Sequence, residues 1–259
     1  MKNLKKKIFD NWIAAIIILP VNVLIIIPAV LLYLPKALVP VADVPMLSRV
    51  LCKLRDAGIG SFVVNVHHFA DQIEKYLSDH DFGVPVAVSR EPDGPLETGG
   101  GIKRAAPLLA SPEGRFLVHN VDILSDLDLP SFLRQDDPEN LATLLLTDAP
   151  ADRYLLFDDG MRLRGWTNVR TGEVKSPFLP DFDPAEYRRY SFCGIHIVSE
   201  AVFEKMAGWP DRFSIIDFYL KECAAGSIRG VVAQDLHLID IGSPEKLAQA
   251  DRAVREGAF

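Results

Sequence analysis

The chain has 259 residues, a formal net charge of −7 and a hydrophobic fraction of 49%. This composition excludes a disordered, collagenous or coiled-coil protein, and a pI of about 5.4 argues against a general nucleic-acid binder. The three cysteines are odd in number and far apart, so they indicate neither a disulfide framework nor a zinc site, and a reducing compartment is the simplest expectation.

The N-terminal segment, residues 1–34, has an unusual hydrophobic composition. Behind a lysine-rich start, residues 12–34 carry no charge, and as a helix they would reach across a bilayer. However, Pro20 and Pro28 divide this run into short β-branched pieces, which also suit a buried strand of a parallel sheet. Two alternatives stay open: a membrane-associated segment, or a buried segment in which residues 16–19 form a central strand.

From Lys36 onward, helical patterns alternate with short apolar strands. We expect helices over residues 45–57, 70–80 and 99–109, and strands over residues 61–66, 84–88, 116–121 and 141–147. Strands that are separated by helices of about ten residues imply parallel crossover connections. The predicted fold class is therefore α/β, a mostly parallel sheet with helices on both faces.

The second half of the chain is less regular. A hairpin is expected over residues 155–166, a strand over 190–198, and helices over 214–224 and from Pro244 toward Arg255, with Ser243 as N-cap. Since no Gly- or Ser-rich linker and no repeat occurs, residues 35–259 are predicted to form one domain with a small antiparallel insertion.

Three consecutive glycines, Gly99, Gly100 and Gly101, stand before a predicted helix. Glycines in series cost backbone entropy, and close approach of backbone N–H groups to a ligand at a helix N-terminus would explain them. A plain flexible loop is the alternative. We expect ligand contact, with residues 98–101 lining the main pocket beside the end of strand 61–66.

Two aspartates follow apolar strands. Asp122 comes directly after strand 116–121, and Asp240 ends a short apolar run. Ligand crevices of open α/β sheets lie at the carboxyl ends of strands, and two carboxylates there can hold Mg²⁺. Alternatively, each aspartate caps a following turn or helix. The spacing alone leaves both interpretations open.

Taken together and in order, seven segments resemble sugar-1-phosphate nucleotidyltransferases, in particular those of the mannose-1-phosphate guanylyltransferase and N-acetylmuramate-1-phosphate uridylyltransferase type. The segments are residues 34–41 (LPKALVPV), 65–73 (NVHHFADQI), 96–102 (LETGGGI), 118–122 (VHNVD), 192–195 (FCGI), 213–220 (FSIIDFYL) and 239–245 (IDIGSPE). The resemblance implies a Rossmann-like sheet of the nucleotide-diphospho-sugar transferase type. It also implies Mg²⁺-dependent nucleotidyl transfer from a nucleoside triphosphate to a sugar 1-phosphate, with a nucleotide sugar and pyrophosphate as products.

The resemblance also assigns roles to individual residues. It implies that Lys36, Asp122 and Asp240 are catalytic, that Asp122 and Asp240 bind the metal, and that Gly194 lies beside the sugar. The positions implied for nucleotide binding are Lys36, Glu97, Thr98, Gly99, Gly100 and Asn120. The expected partners are the nucleoside triphosphate and the sugar 1-phosphate, without nucleic acid, and the expected compartment is the cytoplasm.

The N-terminal segment departs from this family. Where related chains have a glycine-rich G-x-G-x-R loop that wraps the triphosphate, residues 20–33 contain no Gly, Arg or Lys. The alternatives are a non-catalytic module that has lost the loop, a membrane-tethered form that uses residues 12–34, and a frameshifted or wrongly started sequence. We expect weak triphosphate binding and slow turnover. The base, the sugar and the oligomeric state do not follow from the sequence.

Overall fold

A computed structural model of the chain describes residues 15–18, 34–109, 111 and 113–259. Its strands are β1 (Ala15–Ile18), β2 (Pro40–Val41), β3 (Val44–Pro45), β4 (Phe62–Val66), β5 (Val86–Arg90), β6 (Arg115–Asn120), β7 (Ile123–Ser125), β8 (Ala142–Thr147), β9 (Arg153–Phe157), β10 (Leu163–Asn168), β11 (Glu173–Lys175), β12 (Arg188–Ser199), β13 (Ile228–Val232) and β14 (Leu238–Asp240). Its α-helices are α1 (Met46–Asp56), α2 (Ala70–Asp79), α3 (Glu97–Ala105), α4 (Leu129–Arg134), α5 (Val202–Met206), α6 (Ile215–Glu222) and α7 (Pro244–Arg255).

Ten of these strands form one twisted sheet in the order β11-β10-β9-β12-β6-β1-β4-β5, and β8 pairs with both β12 and β13. Strands β5, β4, β1 and β6 run parallel to one another, whereas β12 runs antiparallel to β6. Strands β9, β10 and β11 form the predicted antiparallel insertion. The predicted α/β class, with a mostly parallel central sheet and a small antiparallel part, is confirmed.

The apolar N-terminal run supplies the central strand of the parallel half. Strand β1 lies between β4 and β6. Its residue Ala15 pairs with Phe62 of β4 on one side and with Leu117 of β6 on the other. The side chains of Ala15 and Ile17 enter one core and that of Ile16 enters the other, all fully buried. A strand that is covered on both faces needs an apolar residue at every position, which explains the uninterrupted run. The predicted central strand is thus confirmed, while residues 19–33 lie outside the described residues.

Helices cover both faces of the sheet, as predicted. Helices α1, α2, α4 and α7 contribute to one hydrophobic core, and α3, α5 and α6 to the other. Each core takes alternate residues of the central strands, so the sheet is buried on both faces between two helical layers. Among the helices in the described ranges, none combines the length and the apolar character that crossing a bilayer requires.

Candidate active site

The fold brings Asp122 and Asp240 to adjacent positions. Asp122 lies in the turn between β6 and β7, and Asp240 ends β14, which pairs antiparallel with β7. Asp240 is opposite Ile123 in this ribbon, and the N–H of Ile241 donates to the carbonyl of Asp122 at 3.0 Å. The two aspartates therefore lie at neighbouring strand ends, as was expected from their positions after apolar runs together with the family resemblance.

Lys36 joins both carboxylates. It begins a single 3₁₀ turn, Lys36–Leu38, that follows directly on Pro35. Its ammonium donates to Oδ2 of Asp122 at 2.5 Å and lies 4.0 Å from Oδ1 of Asp240. The Asp122 side chain is 9% exposed and that of Asp240 is 43% exposed. One ammonium group thus faces a buried and a partly exposed carboxylate.

Burial and neighbouring charges act on the pKa of the Asp122 carboxyl in different directions, and one oxygen of each aspartate has no hydrogen-bond partner among the described residues. Burial raises the pKa of the Asp122 carboxyl; the Lys36 ammonium opposes this rise and the negative charge of Asp240 adds to it. Oδ1 of Asp122 and Oδ1 of Asp240 are both buried and accept no hydrogen bond from the described residues. Because buried polar atoms are nearly always paired, two such oxygens on aspartates that share the Lys36 ammonium mark a place where a ligand can bind.

The donor set fits a magnesium ion better than a metal that needs a full protein cage. Within the described ranges there is no group of three or more His, Cys, Asp or Glu residues able to hold a metal ion. Mg²⁺ commonly uses one or two carboxylates and completes its shell with water and substrate phosphates. Asp122 and Asp240 offer two such oxygens.

A second lysine at this cluster was missed by the sequence analysis. Nζ of Lys246 lies 3.5 Å from Oδ2 of Asp240. Lys246 is in the first turn of α7, where its N–H donates to Oγ of the N-cap Ser243 at 3.3 Å. The third residue after an N-cap reaches back over the start of the helix, so the predicted cap at Ser243 was a signal that could have found it.

The structure gives the three glycines a role other than the expected contact of their N–H groups with a ligand. Helix α3 already begins at Glu97, and the N–H groups of Gly99 and Gly100 both donate to the carbonyl of Phe213, at 3.0 and 3.2 Å. A Cβ on Gly100 would lie 2.0 Å from the carbonyl oxygen of Asp211. The glycines are therefore required for close packing against the chain itself, and the two N–H groups expected to meet a ligand are already paired. The nucleotide contact of Gly99 and Gly100 stays a prediction, and such a contact would have to use atoms other than these two N–H groups.

Glu97 and Thr98 connect the start of α3 to the segment before α6. Oγ1 of Thr98 accepts the N–H of Ile215 at 3.2 Å, and Oε1 of Glu97 pairs with the guanidinium of Arg212 at 3.1 Å. Thr98 thus completes the first turn of α6, where a free N–H would otherwise need a partner. The predicted nucleotide-binding roles of Glu97 and Thr98 are additional to these contacts and stay predictions.

A buried polar pair lies beneath the third glycine and was not predicted. Nδ2 of Asn65, in β4, donates to Oε1 of Glu91 at 2.6 Å, and the N–H of Leu96 donates to Oε2 of Glu91 at 2.9 Å. A Cβ on Gly101 would lie 2.7 Å from Nδ2 of Asn65. This pair anchors the loop between β5 and α3, so it fixes where α3 begins.

Asn120 and Gly194, predicted as nucleotide and sugar positions, lie against each other. Gly194 has a φ of +72° and sits where the register of β12 shifts between Phe192 and His196. A Cβ there would lie 2.6 Å from Nδ2 of Asn120. Both the left-handed backbone and the close approach require glycine at this position. Asn120 is two residues before Asp122, so Gly194 lies close to the carboxylate pair.

Two cavities lie elsewhere on the described structure, and neither is lined by Lys36, Asp122 or Asp240. One of about 470 Å³ lies between the antiparallel insertion and α6, and its lining includes Arg153, Tyr154, Trp166, Phe192 and Ser214. Phe192, two residues before Gly194, lines this cavity, whereas Gly194 itself does not. Another of about 610 Å³ lies between α1, β7 and residues 257–259. Residues 98–101 line neither cavity, so the expectation that they line the main pocket is wrong for both.

Comparisons with known proteins agree with this geometry. Residues 33–150 match the family model of the MobA-like NTP transferase domain. The chain is 39% identical over 137 residues to N-acetylmuramate alpha-1-phosphate uridylyltransferase of Neisseria meningitidis serogroup B, a match that covers 49% of this chain and 58% of that protein. It is 30% identical over 233 residues to the protein of the same name from Caulobacter vibrioides, covering 86% of this chain and 89% of that one.

A solved structure extends the comparison to the fold. UDP-glucose pyrophosphorylase from Acinetobacter baumanii superimposes with a TM-score of 0.73 at 16% identity and covers 95% of this chain and 94% of that chain. This similarity confirms the nucleotide-diphospho-sugar transferase fold. Because the Caulobacter match extends over most of both chains, and because the described fold carries paired aspartates at its strand ends, the chain belongs to the sugar-1-phosphate nucleotidyltransferase family.

Proposed function

We propose that this protein transfers a uridylyl group from UTP to a sugar 1-phosphate, with N-acetylmuramate 1-phosphate as the first acceptor to test. The observation that carries the reaction type is the Lys36 ammonium between the carboxylates of Asp122 and Asp240, with one unpartnered buried oxygen on each aspartate. The choice of uridine and of the acceptor rests on the names of the Neisseria and Caulobacter relatives.

The reaction needs positioning and charge neutralisation more than proton transfer. An oxygen of the sugar phosphate forms a bond to the α-phosphorus of the triphosphate. The bond from that phosphorus to the bridging oxygen breaks, and its electron pair leaves with pyrophosphate. Since the attacking phosphate is already ionised at neutral pH, no general base is required, and catalysis comes from stabilising the charge on the phosphoryl oxygens.

The two aspartates and Lys36 would have different roles in this stabilisation of charge. Asp122 and Asp240 would hold Mg²⁺ through their free oxygens, and Mg²⁺, when bound, neutralises charge on phosphate oxygens. Lys36 would bind a phosphate oxygen with its ammonium, which the adjacent backbone turn already holds at the strand ends. The burial of Asp122 limits water around these charges and so strengthens their interactions.

The substrates would occupy the two sides of this cluster. Glu97, Thr98, Gly99, Gly100 and Asn120 are proposed to contact the nucleotide from the carboxyl ends of the parallel strands. Gly194 and the cavity of about 470 Å³ are proposed to receive the sugar, since the cavity presents the aromatic rings and polar groups that pyranoses bind. The cytoplasm, where thiols stay reduced, is the proposed compartment for a chain with three free cysteines.

The test is pyrophosphate release by the purified chain with Mg²⁺, each nucleoside triphosphate, and N-acetylmuramate, mannose or glucose 1-phosphate. We expect slow release with UTP, because residues 20–33 bring no Gly, Arg or Lys to the triphosphate. Asp240→Asn should abolish the release, while Lys75→Ala, an exposed lysine on α2, should leave it unchanged.

Binding of a nucleotide sugar without pyrophosphate release from any substrate pair would instead identify a non-catalytic binding module. Release with GTP and mannose 1-phosphate alone would keep the reaction type and correct the substrates.

A further inference from the structure

Asp240 is flanked by lysines on both of its oxygens. Nζ of Lys36 lies 4.0 Å from Oδ1, and Nζ of Lys246 lies 3.5 Å from Oδ2. Because Lys36 also pairs with Asp122, positive and negative groups alternate along the cluster, from Asp122 through Lys36 and Asp240 to Lys246. The described part of the chain shows no hydrogen bond from the Lys246 ammonium, so its one charged contact is Asp240.

The two lysines differ in how firmly they are held. The Lys36 side chain is 15% exposed, and its partner Asp122 is buried, so separating that pair would leave an uncompensated charge away from water. The Lys246 side chain is 53% exposed, and water screens its interaction with Asp240. Lys246 can therefore change partners at little cost, while the first turn of α7 holds its backbone in place.

We propose that Lys246 is an exchangeable counter-ion of Asp240, which neutralises this carboxylate in the free protein and binds a substrate phosphate when a divalent cation occupies the carboxylate pair. The inference deepens the proposed function, and rests on it for the identity of the substrates. The chemical group that Lys246 recognises is a phosphate oxyanion, from either the triphosphate or the sugar phosphate.

The charge of the reacting groups supports this role. A nucleoside triphosphate carries about four negative charges at neutral pH and a sugar phosphate nearly two. A divalent cation and Lys36 together offset little more than the two aspartates, so bound phosphates require further positive charge. Lys246 is already within ion-pair distance of the carboxylate that would hold the cation, and so within reach of phosphates bound to that cation.

The proposal predicts two effects of opposite sign in Lys246→Ala. Removal of the competing ammonium should tighten the binding of Mn²⁺ to the nucleotide-free protein by about threefold, because the cation no longer displaces a paired lysine. The same change should weaken the binding of pyrophosphate and of UTP in the presence of Mg²⁺ by about tenfold. Mn²⁺ binding is measured by electron paramagnetic resonance and phosphate binding by calorimetry, neither of which requires turnover.

Matched variants separate this role from a structural one. Lys246→Arg should keep both affinities near those of the unchanged protein, and Lys75→Ala, which removes another exposed lysine paired with an aspartate, should alter neither. Weaker binding of Mn²⁺ in Lys246→Ala, or unchanged binding of both Mn²⁺ and phosphates, would overturn the proposal.

The source of the phosphate is identified in the same experiment. Weaker binding of pyrophosphate and UTP places Lys246 at the triphosphate, whereas weaker binding of N-acetylmuramate 1-phosphate alone places it at the acceptor. These measurements report binding and do not require turnover. If no pyrophosphate release were found, that absence would contradict the proposed function. Opposite shifts in the affinities for Mn²⁺ and for phosphate would still support the role of Lys246.

Discussion

The carboxylate pair and the glycine triplet both lie near the carboxyl ends of parallel strands, yet the structure uses them in opposite ways. At the pair, Oδ1 of Asp122 and Oδ1 of Asp240 are buried without a hydrogen-bond partner among the described residues. At the triplet, the N–H groups of Gly99 and Gly100 are both paired with Phe213. The space that a side chain would fill is occupied by the protein itself. At Gly100 it holds the carbonyl oxygen of Asp211, and at Gly99 and Gly101 it holds the side chains of Phe213 and Asn65.

This difference separates two kinds of sequence signal. A glycine indicates that another group approaches the backbone closely, but it does not indicate whether that group belongs to a ligand or to the protein. A buried carboxylate with an unpaired oxygen is costly unless a cation or donor completes it. Of these two signals, the unpaired buried carboxylate oxygens are therefore the stronger reason to propose a ligand site.

The largest expected effect is on turnover, at the carboxylate pair. Asp122→Asn keeps the shape of the side chain but removes the charge that would hold a cation, so pyrophosphate release should fall by at least about 100-fold. Circular dichroism should show an unchanged fold. Asp79→Asn, an exposed aspartate on α2, is the control. Turnover within tenfold of the unchanged protein would mean that the pair is not the catalytic centre.

The next effect is on stability, at the triplet. Gly100→Ala places a Cβ 2.0 Å from the carbonyl oxygen of Asp211, so the free energy of unfolding should fall by about 3 kcal/mol in urea titration. Gly208→Ala, where a Cβ meets nothing within 4 Å, should be neutral or slightly stabilising. A stable Gly100→Ala protein that no longer binds nucleotide would restore the ligand-contact interpretation.

A third effect depends on pH. Burial raises the pKa of Asp122, so its carboxyl holds a proton more tightly in the folded chain than in the unfolded one. The resulting stabilisation is complete below the ordinary carboxyl pKa of 3.8 and is lost as the pH rises through the raised value. The asparagine of the Asp122→Asn variant has no carboxyl group to titrate. The melting temperature of this variant should therefore rise relative to that of the unchanged protein between pH 4 and neutrality. Parallel melting curves would show that Lys36 compensates the buried charge fully.

The smallest effect concerns the contact between α3 and α6. Thr98→Val removes the oxygen that accepts the Ile215 N–H, so the free energy of unfolding should fall by about 1 kcal/mol. Thr98→Ser keeps the acceptor and should retain most of this stability. If Thr98→Val changes nucleotide affinity without changing stability, Thr98 acts on the ligand and not on the helix.

Local signals explain what could be predicted. The apolar residues of β1 are buried on both faces, and the apolar run allowed a buried central strand as one of the two alternatives that the sequence left open. The start of α7 was predictable because Ser243 and Pro244 satisfy the geometry of a helix N-terminus within a few residues. The proximity of Asp122 and Asp240 was expected from their positions after apolar runs together with the family resemblance. The structure reaches it through a separate two-stranded ribbon, in which β14 pairs with β7.

Contacts between distant segments explain what could not be predicted. The partners of Gly99 and Gly100 come from the segment around Phe213, far along the chain, and no local pattern specifies that contact. The buried pair of Asn65 and Glu91 likewise forms only when β4 and β5 lie side by side.

The sequence by itself determined the alternation of strands and helices and the residue types at the strand ends, because these depend on burial periodicity and on caps within one turn. It left the apolar N-terminal run open between a buried central strand and a membrane-associated segment. Tertiary structure decided which polar atoms stay unpaired. The hydrogen-bond partners of Asp122, Asp240 and the glycines belong to elements that meet only after the sheet and its two helical layers have assembled.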